Sequence, residues 1–543
     1  MEIATNFSKA RKASQTGDFK TALVEWAALA DQGDAKAQFN LGLMYDDGKG
    51  VSQCHETAAN WFTLAAKQGY VNAQCNLGVM YHNGQGVAHD DKTALKWFTL
   101  AAEQGHAQAQ TNLGFLYAGD ETVSEDDQTA AQWFILAAAQ GNVDAQSNLG
   151  QMYLTGEGVP QSYQTAAEYF TKAAEQGHVE AQYRLGVAYS EGYGVLNNNK
   201  TAALWYTLAA EQGHAKAQYD LGHLYRGKEG LPKNYEAVVK WYTKAAEQGN
   251  THAQNGLGAI YSRGEGITQS FELAAYWHTK AAEQGDATSQ YDLGKMYSGD
   301  AGIPQNGKLA LYWYTKAAEQ DHVSAQYNLG NMHSTGAGIS KNLKMAVYWY
   351  IKAAEQNHVA AQSNLGLAYE NGAGVPKNQQ AAVKWYTQSA EQGHVIAQCQ
   401  LGLMHKQGEG VPQSDKVAVE WLTKSAEQGN ASALFNLGLM FAEGKGVKKN
   451  LKTAAHWYTL ATQQGQPQAQ LNLGLMYEGG KGVPNNHQVA LKLFTFAAEQ
   501  GVALAQYKLG VVYQTGEGAT QDLQTAFNWY TKAAEQGNTD AQY

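Results

Sequence analysis

Six histidines, His106, His178, His214, His322, His358 and His394, recur at one place in an internal repeat, three of them in successive units. Imidazole is the commonest metal ligand. A shared zinc ion would need ring nitrogens about 3–3.5 Å apart, given Zn–N distances near 2.1 Å, whereas stacked helices stand about 8–10 Å apart. Asp34, Asn142, Asn250, Asp286 and Asn430 hold the same place in other repeats, and all are N-cap types. The histidines therefore read as helix starts. His55-Glu56 opens like the zinc-protease pattern HExxH, but Ala59 stands where the second ligand belongs. No Ser-x-x-Lys occurs, which removes the nucleophile pattern of serine β-lactamases. The acidic run Asp120, Glu121, Glu125, Asp126 and Asp127 lacks the alternating ligands and central glycine of an EF-hand, and reads as a solvated loop. No catalytic residue, metal site or cofactor is expected.

Aromatic and amide side chains carry the stronger signal. Tryptophan occupies one position, first at Trp61, in twelve of fourteen repeats, which suggests a stacking platform. Its place between alanines and a second aromatic residue predicts burial instead. A second series, Phe39, Tyr183, Tyr219, Tyr291, Tyr327, Phe435 and Tyr507, falls on the side of its helix that points away from the hairpin core. The next residue is asparagine in eight repeats: Asn40, Asn76, Asn112, Asn148, Asn328, Asn364, Asn436 and Asn472. An amide ladder could clamp a peptide backbone through paired donors and acceptors, with the aromatics packing its side chains. The competing reading is that both series only join neighbouring repeats, and composition does not choose between them.

The elements that position these residues are set by glycine. A Leu-Gly pair recurs from Gly42 to Gly510 at intervals of 36 residues, the signature of stacked helical hairpins that cannot bury their apolar faces alone. In the first full repeat the pattern predicts a helix A over 34–46, with Ala37, Leu41, Met44 and Tyr45 inward. It predicts a helix B over 56–68, with Ala58, Trp61, Phe62 and Ala65 inward. Glycine inside helix A should cost about 1 kcal/mol relative to alanine, so close approach of another helix backbone is expected there. Gly69 and its counterparts fit left-handed helix ends, Asp321 and Asn357 being the exceptions. Glutamine fills the Gln38 position in fourteen of fifteen places, which points to a structural amide.

The 543 residues divide into a divergent helical hairpin over 1–33, fourteen repeats over 34–537, and the opening of a fifteenth over 538–543. An open apolar end should need a cap, so the natural protein is expected to continue. A net charge of −10 has the wrong sign for tracking phosphates, and nucleic acid is not an expected partner. No apolar run spans a membrane and no hydrophobic leader opens the chain, so a soluble cytoplasmic protein is expected. Cys54, Cys75 and Cys399 share no repeated spacing, which argues against disulfide or thiolate metal frameworks.

The tandem AxAQxxLGxMYxxGxGVxxxxxxAxxWYxxAAEQG, seen from Ala145 to Gly177, resembles the Sel1-like repeat family, relatives of the tetratricopeptide repeats. The resemblance covers about 34–543. It implies an all-α fold, a right-handed superhelical solenoid of antiparallel helix pairs with A helices on the concave side. It also implies a scaffold or adaptor for protein or peptide partners, in bacterial signalling, envelope or host-contact assemblies. Some relatives carry two cysteines per repeat and are secreted, a pattern this chain departs from. The alternative class, a hydrolase or small-molecule-binding regulator using the groove, rests on no assembled motif.

Overall fold

A computed structural model describes residues 2–119, 126–300 and 302–542. Among them are 31 α-helices, one short π turn and no strand. The chain forms two compact units, 1–270 and 271–543. Two helices, Glu2–Thr16 and Phe19–Asp31, precede the repeats. The first repeat pairs helix A, Ala35–Asp47, with helix B, His55–Lys67, and later repeats follow the same plan. Asp34 accepts the Ala37 N–H at 2.7 Å and so caps helix A, which ends on Gly48 at φ 67°.

Each piece of core joins helix B of one repeat to helix A of the next. Ala58, Ala59, Phe62, Ala65 and Ala66 bury themselves with Ala73, Leu77 and Met80, and Trp97 from the following helix B closes the cluster. The fully buried aromatic is thus Phe62, not its neighbour. Of the twelve repeat tryptophans only Trp241 and Trp349 are buried, at 6% and 9% exposure, and the other ten are half-buried. This corrects the expectation of a buried column. The ring lies across the joint between repeats and keeps one side for solvent or lysine. Lys424 Nζ, for example, stands 4.1 Å from the centre of Trp421.

The mid-helix glycine is also explained differently from the expectation. A Cβ at Gly42 would lie 2.6 Å from Phe62 Cε1, and one at Gly330 would lie 2.4 Å from Tyr350 Cδ1. A flat ring approaches there, not a backbone, and it lies on helix A because the glycine has no side chain. In two repeats helix A is shorter. It spans Ala215–Leu224 before Gly227 and Ala287–Lys295 before Gly299, both glycines with φ near 110°. Asp321 and Asn357 take the left-handed conformation at φ 60° and 64°.

Buried glutamines tie the helices together. Gln38 Nε2 donates to the Ala30 carbonyl at 3.2 Å, in the last turn of the preceding helix, and Gln38 Oε1 accepts from Gln68 Nε2 at 2.8 Å. Gln362 repeats this with Ala354 and Gln392. One amide therefore satisfies an end-of-helix carbonyl and links three helices.

Candidate partner-binding surface

Helix A starts carry the histidines. The Ala361 N–H donates to His358 Nδ1 at 3.2 Å, and the His106, His178, His214, His322 and His394 rings accept in the same way. Burial holds His106, His322, His358 and His394 below the ordinary imidazole range, which keeps the accepting nitrogen free of a proton. Among the described residues no three His, Cys, Asp or Glu side chains are placed to share a metal. Of the acidic run, Asp120, Glu121 and Glu125 lie outside the described residues, while Asp126 caps its helix by accepting the Thr129 N–H at 3.1 Å. Ser289 Oγ lies 3.4 Å from His278 Nδ1, and Asp292 Oδ2 lies 3.9 Å from His278 Nε2. Ser289 and His278 are fully buried, so no substrate carbonyl reaches that hydroxyl.

The aromatic series Phe39, Tyr183, Tyr219, Tyr291, Tyr327, Phe435 and Tyr507 is half-buried. Each ring meets the core ring of its own repeat: Tyr183 meets Tyr206 at 5.9 Å, Tyr219 meets Tyr242 at 5.2 Å, and Phe435 meets Tyr458 at 6.0 Å. Several also stack on the start of the next helix A, as Tyr327 does on His358 at 4.4 Å and Tyr291 on His322 at 4.6 Å. This corrects the expectation from helical phase that they point away from their own hairpin: each lies against its own repeat's core ring, and the next repeat covers part of the other side. Burial, with Asp220 beside it, pushes the Tyr183 phenol up.

The eight asparagines are also half-buried, and they do not form one uniform ladder. Asn40, Asn148 and Asn436 donate to the carbonyl one turn back, at 2.7, 2.8 and 2.9 Å. Asn328 and Asn472 donate to the core hydroxyls of Tyr314 and Tyr458 at 3.2 and 3.3 Å. Asn112 accepts from Gln108 at 3.1 Å, and Asn364 donates to Asn331 at 3.3 Å. Asn76 sits at the same place on the helix Val71–Asn83.

Between successive A helices a cleft opens at one structural position in three places. The floors are Phe98, Phe170 and Tyr350, and the walls are Asn112, Arg184 and Asn364. Their volumes are about 450, 170 and 310 Å³. Every residue lining the second cleft has its counterpart 180 residues later in the third, from Leu154 and Ser334 through Tyr193 and Ala373. Of the residues singled out by sequence, Asn112 and Asn364 line these clefts, and Tyr507 borders another with Phe527. The rest are spread along the helices in the contacts above. Arg184, Leu367, Ala188 and Ala368 were missed. The signal for the two alanines was present, because the other twelve repeats carry Met, Leu, Ile or Val there. No described helix is long and apolar enough to cross a membrane.

The Sel1 repeat profile matches fourteen consecutive segments from 35–70 to 503–538. Among solved structures, the chain is similar to a protective antigen of uropathogenic Escherichia coli strains displaying an SLR fold. The two share 36% identity over 82% of this chain and 94% of that one, with a TM-score of 0.67. It is also similar to a Sel1 repeat protein from Oxalobacter formigenes, at 32% identity over 56% of this chain and 88% of that one, with a TM-score of 0.48. No curated protein matches the sequence. Sel1 repeat proteins are generally protein-interaction scaffolds, and fourteen tandem matches on a solenoid of 36-residue helical hairpins establish that this chain belongs to the Sel1 repeat family.

Proposed function

We propose that the protein is a non-enzymatic scaffold that holds protein or peptide partners on the face formed by its A helices. The observation that carries this reading is the recurrence of one cleft between successive A helices, floored by a core ring and walled by the asparagine position. The frame around it is repeated, whereas the wall residue varies among Asn112, Arg184 and Asn364. A constant frame with a changing wall suits recognition of different segments along one partner. Similarity to a protein that is itself a protective antigen supports a host-contact or envelope assembly over a signalling one.

Cross-linking tests this. The full chain is purified with its partner from its own cells, and lysine- and carboxylate-reactive cross-links are mapped by mass spectrometry. Contacts should fall on the A helices around Asn112, Arg184 and Asn364. Contacts confined to the outer face of the B helices, at Lys384 and Glu420 for example, would remove the proposal.

A further inference from the structure

The residue two after the Leu-Gly glycine is Met in eight repeats, Leu in two, Ile in one and Val in one. It is alanine at 188 and 368. The large side chain is ordinarily buried, as Met404 is at 2% exposure. Alanine removes three heavy atoms from that place, and both alanines border a cleft. Core rings and the glutamine tie remain, Gln362 keeping both its hydrogen bonds, and a third cleft opens at the same place beside Leu116, so the alanines free volume beside a cleft that the frame itself makes.

The two clefts differ in their walls. At Ala188 the wall is Arg184, whose Nε donates to Glu180 at 2.6 Å, and the hydrogen bond from His214 together with the Arg184 charge holds the Glu180 carboxyl down at about 2, against burial, which raises it. At Ala368 no charged side chain lines the cleft, which measures about 310 Å³. Its base is apolar, from Val347, Leu367 and Ala368. Its rim is an amide pair: Asn331 Oδ1 accepts from Tyr350 Oη at 2.8 Å and from Asn364 Nδ2 at 3.3 Å. These bonds use neither the Asn331 Nδ2 donors nor the Asn364 Oδ1 acceptor, which are the complement of a peptide C=O and N–H.

We propose that the Ala368 cleft is an anchor pocket for an extended, uncharged segment of a partner protein. It takes one side chain the size of Leu or Met against Ala368 while Asn331 and Asn364 pair with the segment's backbone. This rests on the A-helix face being the binding surface, and it specifies the chemistry of one site there. A purely apolar surface would leave the two amides desolvated and unpaired, and a charged neighbour would find no counter-charge. A single buried anchor with a polar rim is how a few residues dominate an interface.

The test uses the full chain and a random-peptide phage library, with selected peptides then synthesised. The expected consensus is one Leu, Met or Phe between uncharged residues. Ala368→Met, the residue eight other repeats carry, should weaken these peptides at least tenfold while the melting temperature holds. Ala368→Val, copying Val512, should give a smaller loss, and Ala188→Met none. Selected peptides that bind Ala368→Met as tightly as the unaltered chain, a charged consensus, or no enrichment at all would overturn the pocket. None of those results moves the cross-link map, so failure of this site and failure of the surface are separable.

Discussion

Repeats 359–394 and 431–466 depart from the pattern at different core positions of helix A, with opposite consequences. The first keeps its glutamine tie through Gln362 but carries Ala368 in place of a large side chain. The second keeps Met440, fully buried, but carries Leu434 where every other repeat has glutamine. In the first, the missing volume borders a cleft open to the surface. In the second it stays inside, where Leu434, at 2% exposure, offers no amide to the Ala426 carbonyl or to Gln464. Volume lost at the edge of a helical stack can be filled from outside by solvent or a ligand. A lost amide between helix ends removes a link instead: the Ala426 carbonyl keeps the Gly429 N–H at 2.8 Å, but the Leu434 side chain cannot join it to Gln464.

The sharpest way to break this contrast is to attack the frame of repeat 359–394. A Cβ at Gly366 would stand 2.7 Å from Tyr386 Cδ1, so Gly366→Ala should cost about 1–3 kcal/mol by overpacking, despite alanine's better helix propensity. Hydrogen exchange over Val359–Asn371 and Gln379–Glu391 reads the loss; unchanged protection would mean that the ring does not lie on the glycine. Gln362→Leu copies the fault of the other repeat and should cost about 1–3 kcal/mol, exposing the amides of Gln379–Glu391 to faster exchange. The reverse change, Leu434→Gln, should gain about 1 kcal/mol and slow exchange in Leu451–Gln463. A neutral result there would show that the tie is dispensable.

The smallest effect concerns the helix starts, His358 in one repeat and Asn430 in the other. Burial holds His358 below the ordinary value of 6.5, so between the two values the unfolded chain binds the extra proton. Its contribution to stability is present above 6.5 and is lost as pH falls through the folded value. His358→Asn should therefore flatten the fall in melting temperature between about pH 7.5 and pH 5.5. An identical slope in both proteins would mean that the cap does not titrate.

Much of this was legible in one dimension because a repeat is its own alignment. The period of 36, the helix starts and the left-handed Asp321 and Asn357 follow from local rules, since caps and positive φ depend on residues only a few positions apart. Packing across repeats was less legible. Helical phase placed Trp61 inward and Tyr327 outward, yet Trp61 is half-exposed and Tyr327 is half-covered by the next repeat's His358. Phase describes one helix, whereas burial depends on which side the neighbouring helices cover.

The chain's own order of residues thus settles the hairpin, its turns and its repeat length, all of which are short-range. Whether a given asparagine closes a helix turn, as Asn148 does, or stands at the rim of a cleft, as Asn364 does, is decided only when helices 36 residues apart are brought side by side. The space left between them depends on the volumes of side chains from three helices at once.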